Sequence, residues 1–114
     1  MKFISTRGGA PAATLSQAIA AGLAPDGGLY VPEAMPGARE LAPGATLADT
    51  AADLLAPFFD GDALAPELAG ICRAAFDFPA PLVPLATPGD HVLELFHGPT
   101  AAIQDFGARF LDNA

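Results

Sequence analysis

The residues best placed to do chemistry lie together near the end of the chain: His97-Gly98-Pro99-Thr100, then Gln104 and Asp105. His91 and His97 are the only histidines. An imidazole changes charge near neutral pH, so it can accept, donate or carry a proton. In a tight loop it can equally do no more than satisfy backbone groups. Thr100 and Asp105 bracket the start of a helix, where free N–H groups and the helix dipole favour negative charge.

Three elements must position these residues. Val92 to Phe96 is a short apolar run with β-branched and aromatic members, which suits a strand. His97-Gly98-Pro99-Thr100 is a cluster of breakers, so the chain turns there. Ile103, Phe106, Phe110 and Leu111 then fall on one face of a helix. Thr100 is expected to cap that helix, its hydroxyl accepting from an unpaired N–H of the first turn. Asp105 sits in that first turn, where the dipole alone accounts for it.

This stretch resembles the active-site segment of the threonine synthase family. There a strand leads into His-Gly-Pro-Thr, a few small or apolar residues follow, and Lys-Asp-Phe comes next. The family's lysine carries pyridoxal 5′-phosphate (PLP) as a Schiff base. His97, Gly98, Pro99, Thr100, Asp105 and Phe106 stand as the family has them. The lysine position is Gln104, and Ile103 stands where an aromatic residue is usual. An amide nitrogen has its lone pair delocalised into the carbonyl, so Gln104 cannot form an imine or shuttle protons near neutral pH.

A second region carries the same resemblance. Ile4 to Gly8, Ser16 to Leu23, and Ala24-Pro25-Asp26-Gly27-Gly28-Leu29-Tyr30-Val31-Pro32-Glu33 read like the start of a threonine synthase. Their order and their spacing to His97 extend the match over the whole chain. The resemblance implies the N-terminal portion of a fold-type II PLP enzyme that converts O-phospho-L-homoserine and water to L-threonine and phosphate. It assigns Gln104 the substituted catalytic position, Gln104 and Asp105 cofactor binding, and His97, Gly98, Pro99 and Thr100 the substrate loop. With Gln104 in place, this chain by itself is expected neither to turn over substrate nor to hold PLP covalently. The alternative is a free-standing, non-catalytic threonine-synthase-like interaction domain.

Composition sets the bounds. The 114 residues suffice for one modest core, and 52% apolar content excludes a disordered chain, although much of it is alanine. Twelve glycines and twelve prolines imply short elements joined by turns. The net charge of −8, with only Lys2, Arg7, Arg39, Arg73 and Arg109 as bases, excludes a nucleic-acid footprint. It also disfavours this chain holding a phosphorylated substrate unaided. Cys72 is the one cysteine, which excludes an intrachain disulfide and fits a reducing, cytoplasmic setting. Cys72 lies on an apolar stripe and reads as a buried small hydrophobe, not a nucleophile. Neither a signal peptide nor a membrane span is expected, and the histidines are not expected to hold a metal.

From the start, residues 2–6 read as a strand with either Phe3 and Ser5 or Ile4 and Thr6 facing in. Thr14 to Gln17 fits a capping box opening a helix that ends near Gly22. Gly27-Gly28 reads as a turn rather than a phosphate loop. Leu29 to Val31 is a strand, expected to pair antiparallel with residues 2–6. Glu33 to Gly44 reads as loop. Thr46 to Asp49 opens a second helix that Pro57 should kink or end. A third follows from Leu64, with Pro66 in its first turn. The aspartates at 49, 53, 60, 62 and 77 read as caps or solvated surface.

The expected fold class is α/β. A small N-terminal unit with a short antiparallel sheet and three helices occupies residues 1–80. Residues 81–114 are expected to be a linker and then a strand–loop–helix that begins a larger PLP-binding domain. Phe106, Phe110 and Leu111 are expected to need cover from the rest of such an enzyme or from another subunit.

Overall fold

The computed structural model describes residues 1–114. Strand β1 (Phe3–Ser5) pairs antiparallel with β2 (Tyr30–Pro32), Phe3 opposite Pro32 and Ser5 opposite Tyr30. Phe3 and Ser5 are the buried pair, and Ile4 faces out. The buried Ser5 hydroxyl is satisfied because it donates to Asp26 at 2.7 Å. The Asp26 carboxylate also accepts from the N–H groups of Gly9 (2.8 Å) and Gly28 (2.9 Å). It therefore fills the concave turn around Gly27-Gly28 from within, which is why that segment is a turn and not a phosphate cradle. Gly28 is obligatory there, since a Cβ would run into the Ser5 hydroxyl.

Helix α1 (Leu15–Ala21) opens with the capping box between Thr14 and Gln17 and closes at Gly22, whose φ is +70°. Helix α2 (Leu47–Leu55) opens with the reciprocal pair Thr46 and Asp49. Pro57 ends it by turning residues Ala56–Phe59 into a 3₁₀ turn. A second 3₁₀ turn, Ala65–Glu67, takes Pro66, so helix α3 begins only at Leu68 and runs to Ala75. Asp62, between the two turns, is more than solvated surface. Its carboxylate accepts from the Ser16 N–H (3.0 Å) and hydroxyl (3.1 Å) and from the Leu64 N–H (3.0 Å). It thereby holds the first turn of α1 to the α2–α3 connection.

The core is Phe59, Leu68 and Cys72, with Leu15, Leu55, Phe58, Phe76 and Phe110 packed around it. Cys72 is wholly buried, and burial pushes its thiol up, so it is an inert core residue.

Two features shape residues 77–111. The expected linker contains β3 (Leu82–Pro84), which forms a hairpin with β4 (His91–Leu93). The turn is Thr87-Pro88-Gly89-Asp90, closed by the Asp90 N–H on the Thr87 carbonyl at 3.1 Å, with Gly89 at φ +89°. Proline followed by a positive-φ glycine is the type II pattern. β4 is shorter than the run Val92–Phe96 because the Glu94 N–H makes the last cross-strand bond, to Pro81 at 3.0 Å. The hairpin leaves Leu82, Val92 and Leu93 exposed.

The second is helix α4 (Gln104–Asn113), which packs back onto α3. Phe110 meets Phe59 edge-on at 6.1 Å and stacks on Phe76 at 6.0 Å, and Phe106 lies 4.8 Å from Phe78. Arg109 donates to the carbonyls of Ala75 (2.9 Å) and Ala74 (2.8 Å) at the end of α3 and pairs with Asp77 (2.8 Å). Phe106 and Phe110 are thus half-buried within the chain, and Leu111 stays exposed, at 58%. The radius of gyration, 16.3 Å, exceeds the about 13 Å usual for this length. No helix is long and apolar enough to cross a membrane.

Candidate functional site

The chain between β4 and α4 is held by one carboxylate. Asp105, at the second position of α4, is buried. One of its oxygens accepts from the Thr100 N–H at 2.9 Å and the other from the Thr100 hydroxyl at 2.6 Å. The expected cap is therefore reversed. Thr100 donates to the helix residue instead of accepting from the helix backbone, and Ile103 occupies the N-cap position with no side-chain bond. A hydroxyl has one proton and must give it to the stronger acceptor, here the carboxylate. That bond, joined by the Thr100 N–H, holds the Asp105 carboxyl below the usual carboxylate range against the opposing effect of burial.

Gly98 completes the clamp. A Cβ at that position would stand 2.7 Å from the Asp105 Cβ and closer still to its carboxylate. The glycine is needed for close approach and not for its φ. The turn it opens closes with the Ala101 N–H on the Gly98 carbonyl at 3.0 Å. Ala101 is the one non-glycine residue with positive φ, at +58°. This is a sparsely populated conformation that the surrounding bonds must hold.

His97 enters the loop already fixed. Its Nε2 lies 2.6 Å from the Glu94 carboxylate, and its ring lies against Phe96, centroids 4.6 Å apart. Sequence spacing alone does not single out Glu94, although it stands three residues before His97. Arg109 is likewise legible only as a base. Its two carbonyl partners lie more than thirty residues away in sequence.

Of the residues assigned by the resemblance, Gly98, Thr100 and Asp105 are brought into direct contact. Pro99 sits exposed in the same turn, and His97 stands beside it, bound to Glu94. Gln104 is exposed at the first position of α4, immediately before the clamping aspartate. Both Asp105 oxygens are engaged by Thr100. His91, the other histidine, is turned onto its own hairpin, with Nδ1 3.1 Å from the Gly89 carbonyl. No group of three or more His, Cys, Asp or Glu side chains gathers as metal ligands would.

The family model for the threonine synthase N terminus matches residues 2–76. The chain belongs to the threonine synthase family. Threonine synthase of Pseudomonas aeruginosa is 40% identical over 120 residues, spanning 97% of this chain and 25% of that protein. The Haemophilus influenzae threonine synthase is 39% identical over 104 residues, spanning 89% of this chain and 24% of that one. The crystal structure of PLP-bound threonine synthase from Brucella melitensis superposes over 99% of this chain with a TM-score of 0.85 at 38% identity, covering 26% of that chain. The Escherichia coli threonine synthase gives 0.84 at 31% identity, covering 27% of that chain. The chain thus spans about a quarter of the length of the relatives it matches.

Chemistry decides whether the residues present fit the family's cofactor. Covalent attachment to an aldehyde needs a primary amine, and position 104 offers an amide. Residues 94–105 include no lysine or arginine, and Arg109 is engaged at the end of α3. The loop is held by the Gly98–Thr100–Asp105 contacts. The residue set does not fit a covalently bound PLP.

Proposed function

We propose that this chain is the N-terminal portion of a threonine synthase. The whole enzyme converts O-phospho-L-homoserine and water to L-threonine and phosphate, with PLP, in the cytoplasm. In this reading residues 1–80 form the N-terminal unit, and residues 81–114 lead into the PLP-binding domain. The contribution of this segment is positional: it delivers the 97–100 loop and the first turn of α4 in a fixed relation. The observation that carries the reading is the Gly98–Thr100–Asp105 clamp, in a chain that superposes over 99% of its length on a PLP-bound threonine synthase. Gln104 supports a second reading, a non-catalytic domain that keeps the family's shape without its nucleophile.

One experiment separates the two readings. Residues 1–114 are grafted onto the remaining three-quarters of the Pseudomonas aeruginosa enzyme, once as they stand and once with Gln104→Lys. Phosphate release from O-phospho-L-homoserine is then measured. The catalytic-portion reading expects an inert first chimera and an active second one. A folded lysine chimera that releases no phosphate overturns it in favour of the non-catalytic domain. The 114-residue chain itself, mixed with PLP and borohydride, is expected to carry a reduced cofactor adduct only at the Met1 and Lys2 amines and none on the 94–105 peptide.

A further inference from the structure

Resting on the threonine synthase reading, we propose that Glu94 is a positioning residue that locks His97 into a single tautomer, leaving its Nδ1 as a hydrogen-bond acceptor beside the 97–100 loop. Glu94 ends the ladder of β4, its N–H bound to Pro81, so its backbone is fixed by the hairpin. Its carboxylate reaches His97 Nε2 at 2.6 Å. An ionised carboxylate has no proton to give, so Nε2 carries the hydrogen. In the neutral ring the proton-free nitrogen is then Nδ1, which has no partner in the chain. The ring of Phe96, tilted by 33°, lies against the imidazole with centroids 4.6 Å apart.

Orientation by a carboxylate on one nitrogen, with the other left free, is how an imidazole is made into a directed acceptor. A ring held this way accepts from an O–H or N–H group. In its neutral form it offers no proton to an oxyanion. The ligand class of the neutral ring is therefore the hydroxyl or amino end of a small polar molecule. His91 provides a contrast inside the same chain. Its Nδ1 faces a carbonyl oxygen at 3.1 Å, so there the hydrogen is on Nδ1. The two histidines are assigned opposite tautomers.

The test is the nitrogen-15 spectrum of the imidazoles at ~pH 8.5, above the ordinary imidazole range near 6.5. His97 is expected in the Nε2–H form and His91 in the Nδ1–H form. Glu94→Ala should release His97 to a mixture while His91 keeps its signals, which also reports that the hairpin remains folded. Glu94→Gln should weaken the bias without abolishing it, because its amide can accept from Nε2 through oxygen or, turned over, donate to it through nitrogen. A mixed or Nδ1–H His97 in the unaltered chain overturns the proposal, as does a bias that survives Glu94→Ala.

In the lysine chimera, Glu94→Ala should raise KM for O-phospho-L-homoserine roughly 2–12-fold, the worth of one hydrogen bond. Glu94→Gln should fall between the parent and Glu94→Ala. An unchanged KM with Glu94→Ala argues against the acceptor role. The spectrum reads the ring and not turnover. An inert lysine chimera would therefore sink the functional reading and leave the tautomer result standing. A mixed His97 would sink this proposal and leave the family assignment intact.

Discussion

Replacing Gly98 by alanine should loosen the loop, while the same replacement at Gly107 should tighten the helix beside it. At Gly98 the new methyl would stand 2.7 Å from the Asp105 Cβ. Ordinary carbon–carbon contact lies near 3.5–4.0 Å, so the loop and α4 must part by about an ångström. Neither side can yield easily, because Asp105 is buried and bound twice to Thr100. Overpacking of this kind costs about 1–3 kcal/mol. Gly107 lies inside α4, where an added methyl would meet nothing within 4 Å. There alanine removes only glycine's conformational penalty and should stabilise α4 by about 0.5–1 kcal/mol.

The assay is amide hydrogen exchange at Thr100, whose N–H is held by Asp105. One to three kcal/mol, at about 1.4 per decade, corresponds to exchange roughly 5–150-fold faster in Gly98→Ala. Gly107→Ala should exchange no faster than the parent. Equal protection in parent and Gly98→Ala would refute the clamp, because a methyl that fits without displacement means that Gly98 and Asp105 are not in close contact.

The acid limb of stability should follow the aspartates held by donors. Asp105 is lowered by the Thr100 hydroxyl first, and Asp26 by the Ser5 hydroxyl first. A carboxyl lowered on folding contributes stability that is fully present above its unfolded pKa, near 3.9, and lost as pH falls through the lower folded value. The chain should therefore lose stability below about pH 4. Asp26→Asn and Asp105→Asn should each flatten that loss in a urea-midpoint series, and a slope unchanged in both variants would contradict the assignment. Arg109→Ala should lower stability by about 1–3 kcal/mol, discounted for partial exposure, by freeing α4 from the carbonyls of Ala74 and Ala75. Arg109→Lys should recover only part of it, since one ammonium cannot reproduce the planar fork. A full recovery in the denaturation midpoint would show that charge alone holds the helix.

Local chemistry was readable from the sequence wherever the interacting residues are neighbours in the chain. The capping boxes at Thr14 and Thr46, the stop at Gly22, the end of α2 at Pro57 and the burial of Cys72 each follow from residue type and spacing over a few positions. So does the candidate loop, since His97 to Thr100 and Gln104-Asp105 form one contiguous stretch. The family was legible for the same reason.

The direction of the bonds within that stretch was not legible. Whether Thr100 accepts from the helix or donates to Asp105 depends on where the buried carboxylate points, and only the folded chain fixes that. Three further features depend on the assembled structure. The β3–β4 hairpin required a partner strand for a proline-rich segment. Asp62 gained its role only when α1 was brought beside the α2–α3 connection. Arg109 and Phe110 carried α4 back onto α3. Each joins residues far apart in sequence, and side-chain periodicity reports which face is apolar but not what will cover it. Residue identity thus determined the elements, and tertiary packing decided which donor met which acceptor.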